Sequence, residues 1–279
     1  MKSEKFTVCV ILFVTTACIV AACGDGRKAV NREDDEDVTD GDQQVAMNDA
    51  GELPQGAEVL FDDFFFNFAT NERLQRSRIH FPLTVEGVAG RDEQIADSAW
   101  QPDRFFFDSG EYTMIISSQE QLAVVTDTTV RSAMVEKFFL AADSVSQYCF
   151  NKRDGKWTLD AMRVGRVSGH PDASFLKFYH RFCTDSAFRQ RSLAQEIAFT
   201  SQDPDDDFST MKGFITTDSW DAFAPELPQD TIYNIVYGTP PHEETHQRIF
   251  IIRGIDDEED IELTFNNERG KWELTELTE

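Results

Sequence analysis

The spacing of aromatic and apolar residues along the chain occurs twice, in the same order. Phe61, Phe64, Phe65 and Phe68 return as Phe175, Phe178, Tyr179 and Phe182, an offset of 175 − 61 = 114 residues. Trp100 returns as Trp220, and a Gly-Lys-Trp sequence at 155–157 returns at 270–272. A period of about 115 residues has the size of a domain and is far longer than a solenoid repeat. The pattern therefore predicts two related domains, at residues 57–165 and 172–279.

Each repeat begins with a predicted helical hairpin. Apolar residues recur at i, i+3, i+4 and i+7 from Phe61 and from Phe175, which is the pattern of one buried helix face. Thr70-Asn71 and Thr184-Asp185 come at the ends of these helices, and each pair offers an N-cap for a shorter second helix. The second helices are predicted over residues 74–78 and 188–193.

The second part of each repeat has the pattern of a sheet. Residues 81–85 and 197–199 predict short edge strands, since Pro82 is tolerated in a sheet only at an edge. In the second repeat, further strands are predicted at 232–237, 248–252, 261–265 and 272–274. Gly155 and Gly270 suit the loop of a closing hairpin, where positive φ is needed. We expect an antiparallel sheet curled against the helices, and a separate apolar core in each repeat.

The chain begins with the pattern of an export signal. Two lysines precede an apolar run at residues 6–20, which is shorter than the roughly 20 residues of a spanning helix. The sequence Val-Ala-Ala-Cys at 20–23 resembles the lipobox of bacterial lipoproteins. It predicts a signal peptide at residues 1–22 and a diacylglyceryl group on the thiol of Cys23. The alternative is an ordinary cleaved signal in which the cysteine is incidental.

Residues 23–56 predict an acidic, flexible tether. They contain an acidic run at 33–37 and few large apolar side chains, so burial cannot offset the entropy of ordering. The whole chain carries a formal net charge of −25, which repels nucleic acid and anionic lipid. We expect a protein of the cell envelope, lipid-anchored to the outer membrane of a Gram-negative bacterium on its periplasmic face or at the cell surface. The expected partners are the membrane, through Cys23, and an unknown small molecule or protein.

A protein family is suggested by four features taken together: the lipobox, the Phe-rich helix, the internal Trp and the Gly-Lys-Trp hairpin. A helical hairpin, an edge strand and three longer antiparallel strands resemble the cone of nuclear transport factor 2-like proteins. The duplicated arrangement resembles the lipoproteins of domain-of-unknown-function family 4348. This resemblance implies an α+β fold of two tandem cones, each a helical hairpin packed on a curved antiparallel sheet. It implies no catalytic residue, because the shared positions are apolar and structural.

Motifs that suggest a metal site fail on their context. Residues 242–246 match the His-Glu-x-x-His pattern of zinc proteases, which needs a helix to bring both His onto one face. Two preceding prolines and flanking strands predict a hairpin loop there instead. The acidic runs at 203–207 and 256–260 lack the Gly and Glu that an EF-hand requires. We predict neither a metal nor a cofactor, and we expect Cys149 and Cys183 to be free thiols.

The candidate pocket rests on three aromatic residues. Trp100 and Trp220 recur in a segment that could cross the mouth of the cone, where a Trp either covers a ligand or fills the core. Tyr112 is a pocket candidate in the first repeat, but its counterpart in the second is Ile232, so the repeats share no acid–base pair. The three consecutive Phe residues at 105–107 predict either an exposed binding patch or a buried strand entry.

Three functions remain open at this point. A binding module of unknown ligand is favoured, because binding needs only a shaped apolar cavity with a few polar groups. An enzyme with one active cone is the alternative, and it predicts a buried carboxylate or His facing a pocket. A structural spacer predicts neither feature.

Overall fold

A computed structural model describes residue 53 and residues 55–88, 90–203, 206–238, 246–255 and 260–279 of the chain. The predicted signal peptide, the lipidation site Cys23 and nearly all of the predicted tether lie outside the described residues. Within the described part of the chain, no helix is long and apolar enough to cross a membrane.

The two repeats fold into the same order of elements. The helices are α1 Phe61–Thr70, α2 Glu72–Ser77, α3 Ala173–Thr184 and α4 Ser186–Gln190. The strands of the first repeat are β1 Ile79–Glu86, β2 Glu93–Ile95, β3 Glu111–Ile116, β4 Ser132–Phe139, β5 Ser144–Arg153 and β6 Lys156–Gly165. Those of the second are β7 Leu193–Asp203, β8 Asp206–Thr216, β9 Thr231–Tyr237, β10 Gln247–Gly254, β11 Asp260–Glu268 and β12 Lys271–Thr278. Short 3-10 turns connect several of these elements.

Local sequence explains both helical hairpins. The buried Phe residues of α1 share one face of the helix, as their spacing predicts. The helix ends at Asn71, whose side-chain oxygen accepts the Leu74 N–H at 3.1 Å and so caps α2. Asp185 caps α4 in the same way, through the Phe188 N–H at 2.9 Å. Each N-cap is the second residue of the pair that the sequence indicates.

All the strands belong to one 12-stranded sheet, in the order β2-β1-β6-β5-β4-β9-β3-β10-β11-β12-β7-β8. If each repeat kept its own strands, β3 would pair with β4, and β9 with β10. Instead, β3 pairs antiparallel with β10 of the second repeat, and β9 pairs antiparallel with β4 of the first. The repeats have therefore exchanged one strand each, and β3 and β9 lie side by side at the centre of the sheet.

The exchange means that each repeat completes the other's core. The core that α1 covers includes Tyr233, Ile235 and Tyr237 of β9. The core that α3 covers includes Phe138 and Val145 of the first repeat. The expectation of a separate core in each repeat is therefore wrong, although the repeat itself is present in the order of the elements.

The centre of the sheet is covered on both faces. On β10, Ile249 and Ile251 belong to the core under α1, whereas Phe250 and Ile252 belong to the core under α3. Successive side chains of a strand point to opposite faces, so the two cores lie on opposite sides of β10. This explains why the β10 sequence is a continuous apolar run instead of an alternating one.

The sheet also extends beyond the strands that the sequence predicts. Eight of the eleven strand pairings are antiparallel, but β1–β6, β7–β12 and β3–β9 are parallel. Neither β1 nor β7 is an edge, because β2 and β8 pair on their outer sides. Strand β8 was not predicted because an edge strand buries little surface and so shows no clear alternation of apolar and polar residues. Phe214 within it is 71% exposed.

Two local predictions are also corrected. The Phe residues at 105–107 form no strand; they begin a 3-10 turn at Phe105–Asp108 in which Phe105 and Phe106 are buried. The segment between β9 and β10 is not a hairpin loop, because β3 lies between these strands in the sheet. Residues 239–245 of that segment lie outside the described residues, and His246 is exposed beside β10.

Candidate functional site

A cavity of about 780 Å³ lies at the exchange of strands, next to the inner edges of β3 and β9. Apolar side chains of β3, β4 and β9 line one part of it, and a second part is polar. The polar lining includes Glu136, His170, Asp172, Asn234 and Arg248. This volume falls within the roughly 300–1,000 Å³ that ligand pockets occupy.

The cavity exists because β3 and β9 barely pair. Their register contains one position, Thr113 opposite Asn234. The Thr113 hydroxyl donates to the Tyr233 carbonyl oxygen at 3.1 Å, and the Ile115 N–H donates to the Asn234 side-chain oxygen at 2.9 Å. Beyond this point the following residues of both strands line the cavity. A side-chain amide thus closes the sheet where a backbone ladder would otherwise continue.

Glu136 of β4 organises the polar part of the cavity. Its side chain is almost completely buried, and three side chains contact its oxygens. Gln147 Nε2 donates to Oε1 at 2.7 Å, Asn234 Nδ2 donates to Oε2 at 2.8 Å, and His170 Nε2 lies 3.0 Å from Oε1. The three partners come from β5, β9 and the linker between the repeats, so this one carboxylate joins both halves of the protein.

His170 is held in a defined orientation. Its Nδ1 accepts the backbone N–H of Asp172 at 3.0 Å, so the neutral ring carries its proton on Nε2 and donates it to Glu136. Burial acts to lower the pKa of His170, but the hydrogen bond and the charge of Glu136, with the charge of Asp172, outweigh burial and raise it. The Phe138 ring packs edge-on against the imidazole at 5.1 Å between centroids.

The charged side chains that line the cavity are paired with other protein groups. Arg248 Nε donates to Asp172 Oδ1 at 2.7 Å, and both side chains are mostly buried. Arg163 Nε donates to Glu86 Oε2 at 2.8 Å. Together with the contact between Glu136 and His170, these pairs leave a cavity wall on which each charged group has a hydrogen-bonding partner. Such a wall favours an uncharged ligand, because burying an uncompensated charge is costly.

The hydrogen bonds of His170 and Glu136 suit a fixed binding wall better than general acid–base catalysis. Both ring nitrogens of His170 have partners, and both oxygens of Glu136 accept hydrogen bonds. A general acid or base must instead reach a proton of its substrate. Among the described residues there is also no group of three His, Cys, Asp or Glu side chains that could hold a metal ion.

The candidate pocket residues of the sequence are found elsewhere. Trp100 is buried in the core under α1, where its Nε1 donates to the Gln75 side-chain oxygen at 3.3 Å. Trp220 is completely buried in the core under α3, and its Nε1 has no hydrogen-bond partner in the described part of the chain. Neither residue lines the cavity between β3 and β9. Their role as ligand lids stays a prediction, and their observed packing is that of core residues.

Tyr112 is also a core residue that does not line this cavity. Its ring stacks on Phe106 at 4.8 Å between centroids. Burial raises the pKa of Tyr112 to about 12, with a smaller contribution from the charge of Asp62. A phenol that is neutral at physiological pH and packed in this way serves the core, which both repeats build from aromatic rings.

The comparisons with known proteins agree with this fold. A family described as a domain of unknown function, DUF4348, matches residues 41–279. The chain belongs to the DUF4348 family. The crystal structure of an NTF2-like protein from Bacteroides fragilis NCTC 9343 is similar to it, with 32% sequence identity and a TM-score of 0.75. The match covers 81% of this chain and 98% of that one. Among curated proteins, none matches the sequence.

Membership of the DUF4348 family and the NTF2-like neighbour confirm the α+β fold and the family that the repeat and its aromatic framework indicate. They assign no ligand and no reaction.

Proposed function

We propose that this DUF4348 protein is a binding module whose site is the cavity between β3 and β9. The observation that carries the proposal is the joint wall that both repeats build there. Glu136 and Asn234 are linked by a hydrogen bond of 2.8 Å across the exchanged strands, beside an apolar wall in a volume of about 780 Å³. An apolar cavity with a few fixed polar groups is the usual form of a small-molecule site. The ligand is an uncharged compound with an apolar body and hydrogen-bonding groups.

The enzyme alternative predicts a buried carboxylate or His that faces a pocket, and Glu136 and His170 fit that description. Binding is the better proposal because these two groups are each other's partners and are held further by Gln147, Asn234 and the Asp172 backbone. A proton transfer to substrate would first have to break this network.

The same proposal places the protein in the cell envelope. The apolar run at residues 6–20 and the lipobox at 20–23 support export and a lipid anchor on Cys23. The acidic segment at 23–56 supports a flexible tether that holds the folded repeats away from an outer membrane. In this arrangement the protein has two partners, the membrane and the cavity ligand, and it does not bind nucleic acid.

A cavity-filling variant tests the binding site. Val236 lines the cavity opposite Met134 and is only partly buried, so Val236→Phe reduces the space without emptying a core. Val164→Phe is the matched control, because Val164 is equally a partly buried strand residue and does not line the cavity. The probe is a library of uncharged compounds that carry an apolar ring and one or two amide groups.

Compounds that bind in the cavity should raise the melting temperature of the unchanged protein and of Val164→Phe, and should fail to do so for Val236→Phe. Compounds that stabilise all three proteins equally would place binding elsewhere and overturn the proposal. So would a library that stabilises none of them.

A further inference from the structure

The central pair of strands leaves two backbone edges facing the cavity. On their outer sides, β3 pairs with β10 from Glu111 to Ile116, and β9 pairs with β4 from Thr231 to Tyr237. On their inner sides the strands share only the position of Thr113 and Asn234. A strand whose backbone groups lack a neighbouring strand is a template for an added one.

The direction of the backbone groups supports this reading of β3. Backbone groups alternate in direction along a strand in an antiparallel pair. The Ile115 N–H points away from β10, since it donates to Asn234 of β9 at 2.9 Å. Ser117, two residues further, donates its N–H to the side-chain oxygen of Gln121 at 2.7 Å. Two amide side chains thus supply the oxygens that the carbonyl groups of a neighbouring strand would supply.

On β9, as on β3, the backbone groups of the odd-numbered residues face the inner side. The Gly238 N–H donates to the Ser132 carbonyl oxygen at 2.7 Å, so the even-numbered residues here are directed at β4. The carbonyl group of Tyr233 is directed at β3 instead, because its oxygen accepts the hydroxyl hydrogen of Thr113. Ile235 and Tyr237 follow Tyr233 at steps of two residues and line the cavity. Their backbone groups are therefore directed at the inner side.

We propose that the ligand of this cavity is an extended, uncharged peptide segment that pairs with the inner edges of β3 and β9 as an added strand. This inference rests on the proposed binding function and names its ligand class. Two successive N–H groups on one side of a strand lie roughly 6.6 Å apart, which is also the spacing of carbonyl oxygens i and i+2 of an extended peptide. Such a peptide replaces the oxygens of Asn234 and Gln121 at the N–H groups of Ile115 and Ser117.

The cavity also limits the length and the side chains of the peptide. From Ile115, beyond the position shared with β9, to Ser117, just after the end of β3, the inner side spans two residue steps, or roughly 7 Å, which corresponds to a segment of about three residues. The lining pairs its own charges, as between Asp172 and Arg248, so charged side chains in the peptide are disfavoured. Main-chain pairing supplies affinity, and the apolar wall selects alternate side chains.

The test uses the full two-repeat protein and defined peptides. The probes are acetylated and amidated peptides of about three residues, in which Val, Ile or Phe alternates with Thr or Gln. Each peptide is matched by a version that is N-methylated at alternate residues, which keeps the side chains and removes the N–H groups that pair with the inward carbonyl oxygens of Ile235 and Tyr237 on β9. Calorimetric titration measures affinity for the unchanged protein, Val236→Phe and Val164→Phe, and amide NMR follows Ile115 and Ser117.

We expect binding to the unchanged protein and to Val164→Phe, with loss of binding in Val236→Phe. N-methylation should weaken it by about tenfold or more, since each lost hydrogen bond contributes about 0.5–1.5 kcal/mol. The Ile115 and Ser117 amide signals should shift. Equal affinity of N-methylated peptides would overturn the inference. If no peptide binds, but uncharged small compounds bind Val164→Phe and not Val236→Phe, the inference is overturned and the proposed function stands. If no probe of either kind distinguishes Val236→Phe from Val164→Phe, both proposals fall.

Discussion

Asn234 of β9 joins both strands of the exchange to one carboxylate. Its side-chain oxygen accepts the Ile115 N–H of β3 at 2.9 Å, and its Nδ2 donates to Glu136 of β4 at 2.8 Å. The residue is 2% exposed, so water cannot readily replace either partner. One amide in the second repeat therefore satisfies a backbone group and a buried acid of the first repeat.

Asn234→Ala is expected to destabilise the protein strongly. The change leaves the Ile115 N–H and one oxygen of Glu136 buried without their partner, and each such group costs about 1–3 kcal/mol. The free energy of unfolding in urea should fall by about 2–4 kcal/mol. Gln202→Ala, on an exposed position of β7, is the control and should change it by less than about 0.5 kcal/mol. Equal losses in the two variants would contradict the role given to Asn234.

Separating the repeats should prevent folding of either half. A fragment of residues 57–171 lacks β9 and β10, so β3 has no strand neighbour and the core under α1 loses Tyr233, Ile235 and Tyr237. We expect no cooperative thermal transition for this fragment alone. Mixing it with a fragment of residues 172–279 should restore one transition. A 57–171 fragment that melts cooperatively by itself would show that β3 can return to β4 and that the exchange is not required.

The contact between His170 and Glu136 predicts a pH dependence of stability. The pKa of His170 is raised in the folded state above its usual value of 6.5, so the folded protein binds this proton more tightly than the unfolded chain does. The resulting stabilisation is complete below about pH 6.5 and is lost as the pH rises through the folded-state pKa. The difference in unfolding free energy between the unchanged protein and His170→Gln should therefore shrink from pH 6 towards pH 9.

His180→Gln is the control for that experiment, because His180 is a partly exposed residue of α3 outside the network. The difference for His170→Gln must follow pH more steeply than the difference for His180→Gln. Parallel profiles for the two variants would show that the contact with Glu136 carries no linkage.

The two cysteines should behave as slow, unpaired thiols. Both are free in the described structure. Burial raises the pKa of Cys183 to about 11, against smaller opposing effects of Tyr179 and Arg189, and burial also raises the pKa of Cys149. Because the thiolate is the reactive form, Ellman's reagent at pH 8 should react slowly with the folded protein. For a chain beginning at Gly24, denaturation without reductant should release two thiols, and a lower number would contradict the assignment.

The sequence predicted those features that are local. The helical hairpins follow from the spacing of Phe61 and its neighbours and from the capping side chains of Asn71 and Asp185, all within a few residues. The aromatic framework repeats because each core needs the same volumes. The family follows from the same residues, and the family match confirms it.

The exchange of β3 and β9 could not be predicted from the local sequence pattern. Because the repeats are alike, β3 and β9 are both apolar strands that suit either core, and no periodicity distinguishes pairing with the own repeat from pairing with the other. The choice depends on particular contacts such as Ile115 N–H to Asn234, across 119 residues. Edge strand β8 was missed for the opposite reason, since it buries too little to show a period.

The cavity network was missed because its members are far apart in the sequence. Glu136 meets His170 across 34 residues and Asn234 across 98. The one available signal is Glu136 itself, an acid between the apolar pairs of β4 at a position that a buried strand would not tolerate without partners. Trp100 and Trp220 drew attention by recurring, but recurrence in two repeats reflects their shared cores.

A membrane anchor on Cys23 can be tested by substitution. The lipobox at 20–23 predicts that Cys23 receives the diacylglyceryl group, so Cys23→Ala should abolish palmitate incorporation and move the protein from the membrane fraction to the soluble fraction. Cys18→Ala is the control, because Cys18 follows Thr-Thr-Ala and matches the lipobox poorly. It should leave labelling unchanged. Since the cavity lies far along the chain from residue 23, the soluble Cys23→Ala protein should still bind any ligand that requires Val236. Label retained by Cys23→Ala, or lost in Cys18→Ala, would assign the anchor to another residue.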